Sequence, residues 1–432
     1  MFLSHGRGLT LLFMTEMWER FSFYCMRSLV VLYMTATLME GGMGWSKGEA
    51  ITLYGLYIAA AYMTPILGGY LSDRFLGQRK SAMIGAAMMV VGHFFMIFNT
   101  IAFFYSALAL VALGNGFFKP CMTSILGQMY DDKTESQRDS AYSIFYMGIN
   151  VGGMLAGLIS GWMLTWYGFD WGFGAAGIGM TIALFIFWWG KERYLEDAGK
   201  APQVKVKDHK SVPLTEEEIS RLWVIFFMFL MTVFYFIAWE QMGGLVPLFI
   251  KERINRSFFD REIPIPWLAN IDPLFIIFLA PLLSILWAWL GKKNLDPFVG
   301  SKMGIGFFFM SAAFLVLGYV SSANDTGSGV LPSWGWIVFY KLLVVVGELC
   351  FIPISWAAVT KLSPTGWISR MVGLMLAGIG IGSLLAGYLG SYVDVIGPTL
   401  IFYILTGGMI LFGVLCFIFN ARMQRMSCLA AC

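Results

Sequence analysis

The sequence predicts an all-α membrane protein with twelve transmembrane helices in two pseudo-symmetric six-helix bundles. Three observations carry that expectation. Of the 432 residues, 58% are hydrophobic and only 13% are charged, about half the charged share of a soluble domain. Twelve apolar runs approach the ~20 residues that a helix needs to cross hydrocarbon. They lie at 9–38, 50–71, 81–99, 101–127, 140–166, 172–190, 220–250, 267–291, 302–321, 334–361, 370–393 and 398–420. The third observation is an internal repeat between the two halves.

The runs are read as helices because a helix satisfies its own backbone in lipid, and the alternation of a barrel strand is absent. The repeat is clearest in the fifth run of each half. Residues 148–157, "GINVGGMLAG", and 378–387, "GIGIGSLLAG", share G-I-x-x-G-x-x-L-A-G at an offset of 230. The fourth runs share a Gly-x5-Pro spacing, at Gly114–Pro120 and Gly347–Pro353. Coincidence between glycine-rich helices is the alternative. A duplicated transporter fold, with its substrate site at mid-membrane, is the stronger explanation. The glycines have a packing reason in either case. Gly148, Gly152, Gly153, Gly157 and Gly161 make small-xxx-small rows that admit a close neighbour. Residues 191–219 are polar and mixed in charge, so the expected domains are a bundle over 1–190, a cytoplasmic linker over 191–219 and a bundle over 220–432. Thr215 and Glu218 have capping-box spacing and open the seventh helix.

Lysine and arginine set the expected orientation. With the N-terminus inside, 20 of the 29 basic residues fall on the cytoplasmic side and five outside, with Arg20, Arg27, Lys119 and Lys341 inside spans. This places both termini in the cytoplasm of a multi-pass protein of the plasma, or bacterial inner, membrane. Arg7 is followed directly by the first run with no small-residue cleavage site, so no signal peptide is expected. The net charge of +3 is too small to argue for nucleic acid. The six cysteines lack CxxC or CxxH spacing and the three histidines are far apart, so no metal site or disulfide framework is indicated. No nucleophile-elbow, metal-ligand or phosphate-loop motif suggests an enzyme. No cofactor and no obligate protein partner is expected beyond the bilayer. Trp162, Trp166, Trp334 and Trp336 sit near span ends, as interfacial belts do.

The chemistry begins in the first run. "TEMWERFSFYCMR", residues 15–27, carries Glu16, Glu19, Arg20 and Arg27. Each charge at mid-bilayer costs roughly 2.5–3.5 kcal/mol on insertion scales, so three in five residues would cost on the order of 8–10 kcal/mol in lipid. Glu16, Arg20, Tyr24 and Arg27 follow i, i+4 and i, i+7 spacing and share one stripe, with Glu19 beside it. That stripe must face protein or water. A static, mutually neutralised cluster is the bland alternative, but leucine would serve it at lower cost. Arginine keeps its proton, so the carboxylates are the groups able to exchange protons. Glu240 and Glu348 are isolated acids in other apolar runs, and Lys119 is an isolated base followed by a helix-bending proline. Cations in one half and acids in the other suit a zwitterion. Lys341 is expected near the outer interface, with its ammonium reaching toward the headgroups.

Taken together, "EMWER" at 16–20, "FFKP" at 117–120, "FYMGINVGG" at 145–153, Glu240-Gln241, "DPLFII" at 272–277 and "GELCFIPIS" with "TKLSP" at 347–364 resemble the proton-dependent oligopeptide transporter (POT/PTR) family of the major facilitator superfamily. "GGYLSDRFLGQRK" at 68–80 is similar to the superfamily's loop between the second and third helices. The resemblance runs over nearly the whole chain, and ExxER followed by FYxxINxG is its specific part. It implies proton-coupled symport of di- and tripeptides by alternating access, with protons as the coupling ion. Arg20 and Lys119 would hold the peptide carboxylate, with Tyr24 and Asn150 nearby. Glu348 would hold the ammonium. Glu16, Glu19, Glu240 and Arg27 would take part in proton coupling, Glu19 against Lys119 and Glu240 against Arg27.

The chain departs from the family pattern in several places. Phe23 stands where a second tyrosine is usual, Cys25 where glycine is, Asp272 where the family has asparagine at the ammonium end, and Phe236 where helix 7 often has tryptophan. Met375 and Leu376 replace common aromatic residues, and the extra helix pair of many bacterial members is missing. These changes bear on peptide length and side-chain preference. Asp272 with Glu348 would favour a cationic group, as in lysyl or histidyl substrates. Rival readings are a same-fold transporter of an amino-acid conjugate, nitrate or a drug-like molecule, and a membrane sensor that has lost transport. Glu348 argues against an anion, and the retained intramembrane charges argue against the sensor.

Overall fold

The computed structural model describes residues 6–202, 214–325, 331–364 and 367–428. His5, His209, Cys432 and the middle of the expected linker lie outside the described residues. Helices dominate. The long ones are α1 Gly6–Thr35, α2 Lys47–Leu71, α3 Gln78–Phe95, α4 Ile101–Met129, α5 Glu135–Tyr167, α6 Phe169–Tyr194 and α7 Glu216–Trp239. After the short α8 Leu245–Arg253 and α9 Ile265–Ala269 come α10 Asp272–Lys292, α11 Val299–Asp325, α12 Gly335–Leu362, α13 Ile368–Ser391 and α14 Val393–Cys428. Ten of the expected apolar runs each fall mainly on one long helix, whereas 220–250 spans α7, a 3-10 turn and α8, and 267–291 spans α9 and α10. One feature departs from an all-α chain: β1 Ser257–Phe258 and β2 Arg261–Glu262 form a small antiparallel hairpin. Its turn residues Phe259 and Asp260 both have positive φ, the geometry that a two-residue hairpin loop demands.

Among the described residues, ten helical stretches are long and apolar enough to cross a membrane. The two expected spans outside that set have clear reasons. α1 carries five charged side chains, Arg7, Glu16, Glu19, Arg20 and Arg27, and α3 has 18 residues opened by Gln78, Arg79 and Lys80. α1 is nonetheless buried along most of its length, Glu16, Glu19, Arg20 and Arg27 included. It packs against α5 and α6. Small polar groups join these helices: Ser22 Oγ donates to the Ala176 carbonyl at 2.7 Å, and Ser28 and Ser160 hydroxyls meet at 3.0 Å. α10 is the opposite case, apolar in sequence with Ile276 its one buried residue. Lipid is the neighbour that such a surface fits.

The chain divides into two compact units. One comprises Met1–Trp45, Tyr57–Asp208 and Pro264–Pro273; the other comprises Ser46–Leu56, His209–Ile263 and Leu274–Cys432. The repeated glycines do equivalent work inside each. In the first, a Cβ on Gly148 would press the Phe13 ring and one on Gly152 would meet the α1 backbone at Met17 and Phe21. In the second, Gly378 faces Phe229, and Gly382 faces the Val233 carbonyl and Phe236. α3 and α4 touch through Gly85 and Gly114, and α11 and α12 through Gly306 and Gly347. Close backbone approach of this kind is what holds helices together where no hydrophobic force acts. At the start of α7, Thr215 and Glu218 form the expected capping box. α14 breaks at Gly397, with φ +74°, and Pro398 opens its main stretch.

These contacts predict that Gly382→Leu destabilises the protein by about 1–3 kcal/mol through overpacking. Gly373, with no atom near its Cβ position, serves as the control. Gly373→Ala leaves stability unchanged or raises it by up to about 1 kcal/mol. Thermal unfolding in detergent distinguishes the two.

Candidate functional site

In the first unit, α1 brings Glu16, Glu19 and Arg20 into one buried group. The Arg20 guanidinium grips Glu19 with two nitrogens, Nε to Oε2 and, at 2.5 Å, Nη2 to Oε1. Nε also lies 3.5 Å from Glu16 Oε1. A third acceptor comes from α4, where Asn115 Oδ1 takes a hydrogen bond from Arg20 Nη2 at 3.2 Å. Asn115 is itself held by its amide donating to the Ala61 carbonyl at 2.8 Å. The Phe23 ring lies 4.9 Å from the guanidinium, so the departure at this position provides a cation–π face. Glu16 Oε2 has no hydrogen-bond partner among the described residues and is buried.

Lys119 follows Asn115 by one turn of α4. Its ammonium lies 5.3 Å from the Tyr62 ring and within electrostatic reach of Glu16, Glu19, Arg20 and Arg27. Tyr57 is buried beside Arg20 and Arg27. Tyr24 packs its ring at Gly153 of α5, and Pro273 meets the same glycine. Asp272, next in the chain to Pro273, is therefore at the Tyr24 side of this unit. Asn150 is buried and donates to its own helix at the Tyr146 carbonyl, 3.0 Å. Thus the structure gathers Glu16, Glu19, Arg20, Lys119, Tyr24 and Arg27 around the inner part of α1. Helical spacing made the α1 members of this group legible; Lys119 comes from α4.

In the second unit, Glu240 is buried where α7 gives way to a 3-10 turn, Glu240–Met242. Its carboxylate accepts the Tyr54 hydroxyl at 3.1 Å. Gln241 anchors the turn by donating to the Ala386 carbonyl of α13 at 2.9 Å. Glu348 on α12 is half-buried and accepts the Trp239 indole N–H at 3.0 Å. Tyr235, behind Glu348, stacks on Phe351 with ring centroids 4.1 Å apart. Lys341 overturns one expectation. It is fully buried, not snorkelling, and its ammonium sits 3.5 Å from Met242 Sδ. Seven residues before Glu348, it lies on the same face of α12, the face turned into this unit.

Asn115, Tyr54, Tyr57 and Trp239 escaped the sequence reading. Asn115 had a usable signal, a lone amide one turn before Lys119 in an apolar helix. Tyr54 and Trp239 had none, since their partners are on other helices. Cys25, Cys121, Cys350 and Cys416 are free. Among the described residues, no group of three or more His, Cys, Asp or Glu could hold a metal.

Known proteins are similar to this chain along nearly its full length. A family model described as the POT family matches residues 79–215 and 195–400. A peptide transporter of Yersinia enterocolitica subsp. palearctica is 31% identical, covering 91% of this chain and 89% of its own. A di-/tripeptide transporter of Lactococcus lactis subsp. cremoris is 28% identical, covering 86% of each. A crystal structure of a POT peptide transporter in complex with sulfate superposes with a TM-score of 0.92 at 27% identity, covering 99% of this chain and 97% of that one.

The bidentate pair makes a stability prediction. Arg20→Met leaves the Glu19 carboxylate buried without its cation and costs about 3 kcal/mol or more. Replacing both, Glu19→Met with Arg20→Met, recovers most of the loss. Thermal unfolding of the single and double variants measures the difference.

Proposed function

The chain belongs to the POT family, and on that premise we propose that it is a proton-coupled symporter that imports di- and tripeptides by alternating access. It is a transporter and not an enzyme. Relatives named as peptide and di-/tripeptide transporters support the substrate class. The observation that carries the reading is the buried Glu19–Arg20 pair, with Glu16 and Lys119 beside it. We assign the chain the twelve-helix, pseudo-symmetric major facilitator fold, with bundles over 1–190 and 220–432 and a linker over 191–219. The equivalent glycine contacts within each unit support that assignment. The excess of Lys and Arg in alternate loops supports an inner-membrane protein with both termini in the cytoplasm.

The proposed roles are those that the resemblance to the family implies. Arg20 and Lys119 receive the peptide carboxylate, with Tyr24 and Asn150 lining that end. Glu348 receives the ammonium. Glu16, Glu19, Glu240 and Arg27 couple protons. While Glu19 is ionised it occupies the Arg20 fork. When it takes a proton, its hold on Arg20 weakens and the guanidinium can engage an incoming carboxylate. The proton and the peptide thereby bias one two-state element together. Asp272 adds a second acid, and its proposed effect is preference for lysyl or histidyl peptides.

Uptake of a labelled dipeptide into proteoliposomes tests this. Uptake requires an inward proton gradient and stops with a protonophore. A charged hydrogen bond is worth about 1.5–3 kcal/mol, so Glu348→Gln raises the KM for a dipeptide by about 10–100-fold. Nitrate or free amino acids transported in place of dipeptides would contradict the reading. For Asp272→Asn, the expected result is loss of any advantage of lysyl over alanyl dipeptides. An unchanged preference would remove Asp272 from the pocket.

A further inference from the structure

Apart from the charges on α1, the first unit holds a second concentration of cations, at the start of α3 and the end of α6. A cavity of about 480 Å³ opens there. Arg79 and Lys80 line it from α3, Lys191 and Glu192 from α6, and Lys200 from the turn that follows. Four cations and one carboxylate line it, with Asp197 paired to Lys200 at its edge, and the N-terminal end of α3 adds its positive dipole.

The cavity is built, not incidental. Arg79 acts as a strut. Its Nε donates to the Ala198 carbonyl at 2.8 Å, Nη1 to Glu192 at 3.0 Å and Nη2 to the Glu196 carbonyl at 2.5 Å. Its own amide donates to the Gly199 carbonyl at 3.0 Å. The turn is fixed from its other side by Gln128, whose Oε1 accepts from Gly199 N at 2.9 Å. These bonds hold Lys200 at the rim. Among the described residues, Lys191 pairs with Glu192 and Lys200 with Asp197, carboxylates that are 58% and 96% exposed. Such pairs are worth little and yield readily to a better anion.

The remaining walls are apolar. Ile84 stands one turn from Lys80 on the same face of α3, and Trp188 one turn from Glu192 on α6. Both are exposed, and the ring of Phe185 continues the strip beyond Trp188. A free phosphate would use the cations alone. A phospholipid would use both, with its phosphate among the lysines and its acyl chains along Ile84, Trp188 and Phe185. Basic pockets between membrane helices on the cytoplasmic side suit anionic headgroups, and tryptophan suits the interface.

We propose that this groove between α3 and α6 binds the phosphate headgroup of an anionic phospholipid, with Lys80, Lys191 and Lys200 as its ligands. The full chain, delipidated in detergent, tests it by thermal unfolding with phosphatidylglycerol, phosphatidylcholine or inorganic phosphate added. The expected result is a rise in Tm of several degrees with phosphatidylglycerol alone. The triple variant Lys80→Gln, Lys191→Gln, Lys200→Gln should lose the rise, and Lys292→Gln with Lys293→Gln should keep it. An equal rise with phosphatidylcholine, an equal rise with inorganic phosphate, or a rise that survives the triple variant would each overturn the proposal. If the triple variant proves unstable, native mass spectrometry of Lys80→Gln alone decides. Weaker retention of phosphatidylglycerol than in the unaltered chain supports the site, and equal retention refutes it.

Discussion

Arg20 and Glu19 are neighbours in sequence and partners in space, two full charges locked together inside a helix with almost no contact with solvent. Everything near them follows from the need to keep that arrangement tolerable. A charge in hydrocarbon costs several kcal/mol, so α1 is wrapped by α5 and α6 along most of its length. The wrapping requires close helix approach, and Gly148 and Gly152 provide it. The fork of Arg20 requires more acceptors than Glu19 supplies, and Asn115 adds one from α4. Replacing the pair with leucines would relieve each of these demands. The proposed transport cycle gives the pair a use.

Its use depends on being strong and yet divisible. A guanidinium bound to carboxylate oxygens is among the firmest polar contacts a protein makes, but one proton on the carboxylate weakens it. The same geometry that offers Glu19 to Arg20 suits a peptide carboxylate, which has the same shape and charge. In the proposed mechanism, proton and substrate act on one contact. In the second unit the Tyr54 hydroxyl donates to Glu240 and the Trp239 indole N–H to Glu348.

The stripe on α1 was readable because helical spacing alone puts Glu16, Arg20, Tyr24 and Arg27 on one face. The glycine repeat and the Thr215 capping box were readable for the same local reason. What stands opposite a helix face is not encoded locally. Asn115, Tyr54 and Trp239 entered the site through helices distant in sequence, and no periodicity announces such a partner. Lys341 was misjudged because burial of a lysine depends on what surrounds it, and the surroundings include Met242 from another helix. The hairpin at 257–262 was missed because four residues and two positive φ values leave little trace in composition.

Calorimetry of dipeptide binding in a series of buffers that differ in ionisation enthalpy measures the exchange of proton for substrate directly. The account predicts that the observed enthalpy varies with the buffer because binding takes up protons. That dependence vanishes in Glu19→Gln and for a dipeptide whose C-terminal carboxylate is amidated. Binding of an unmodified dipeptide with the same enthalpy in every buffer, hence no proton uptake, would contradict it.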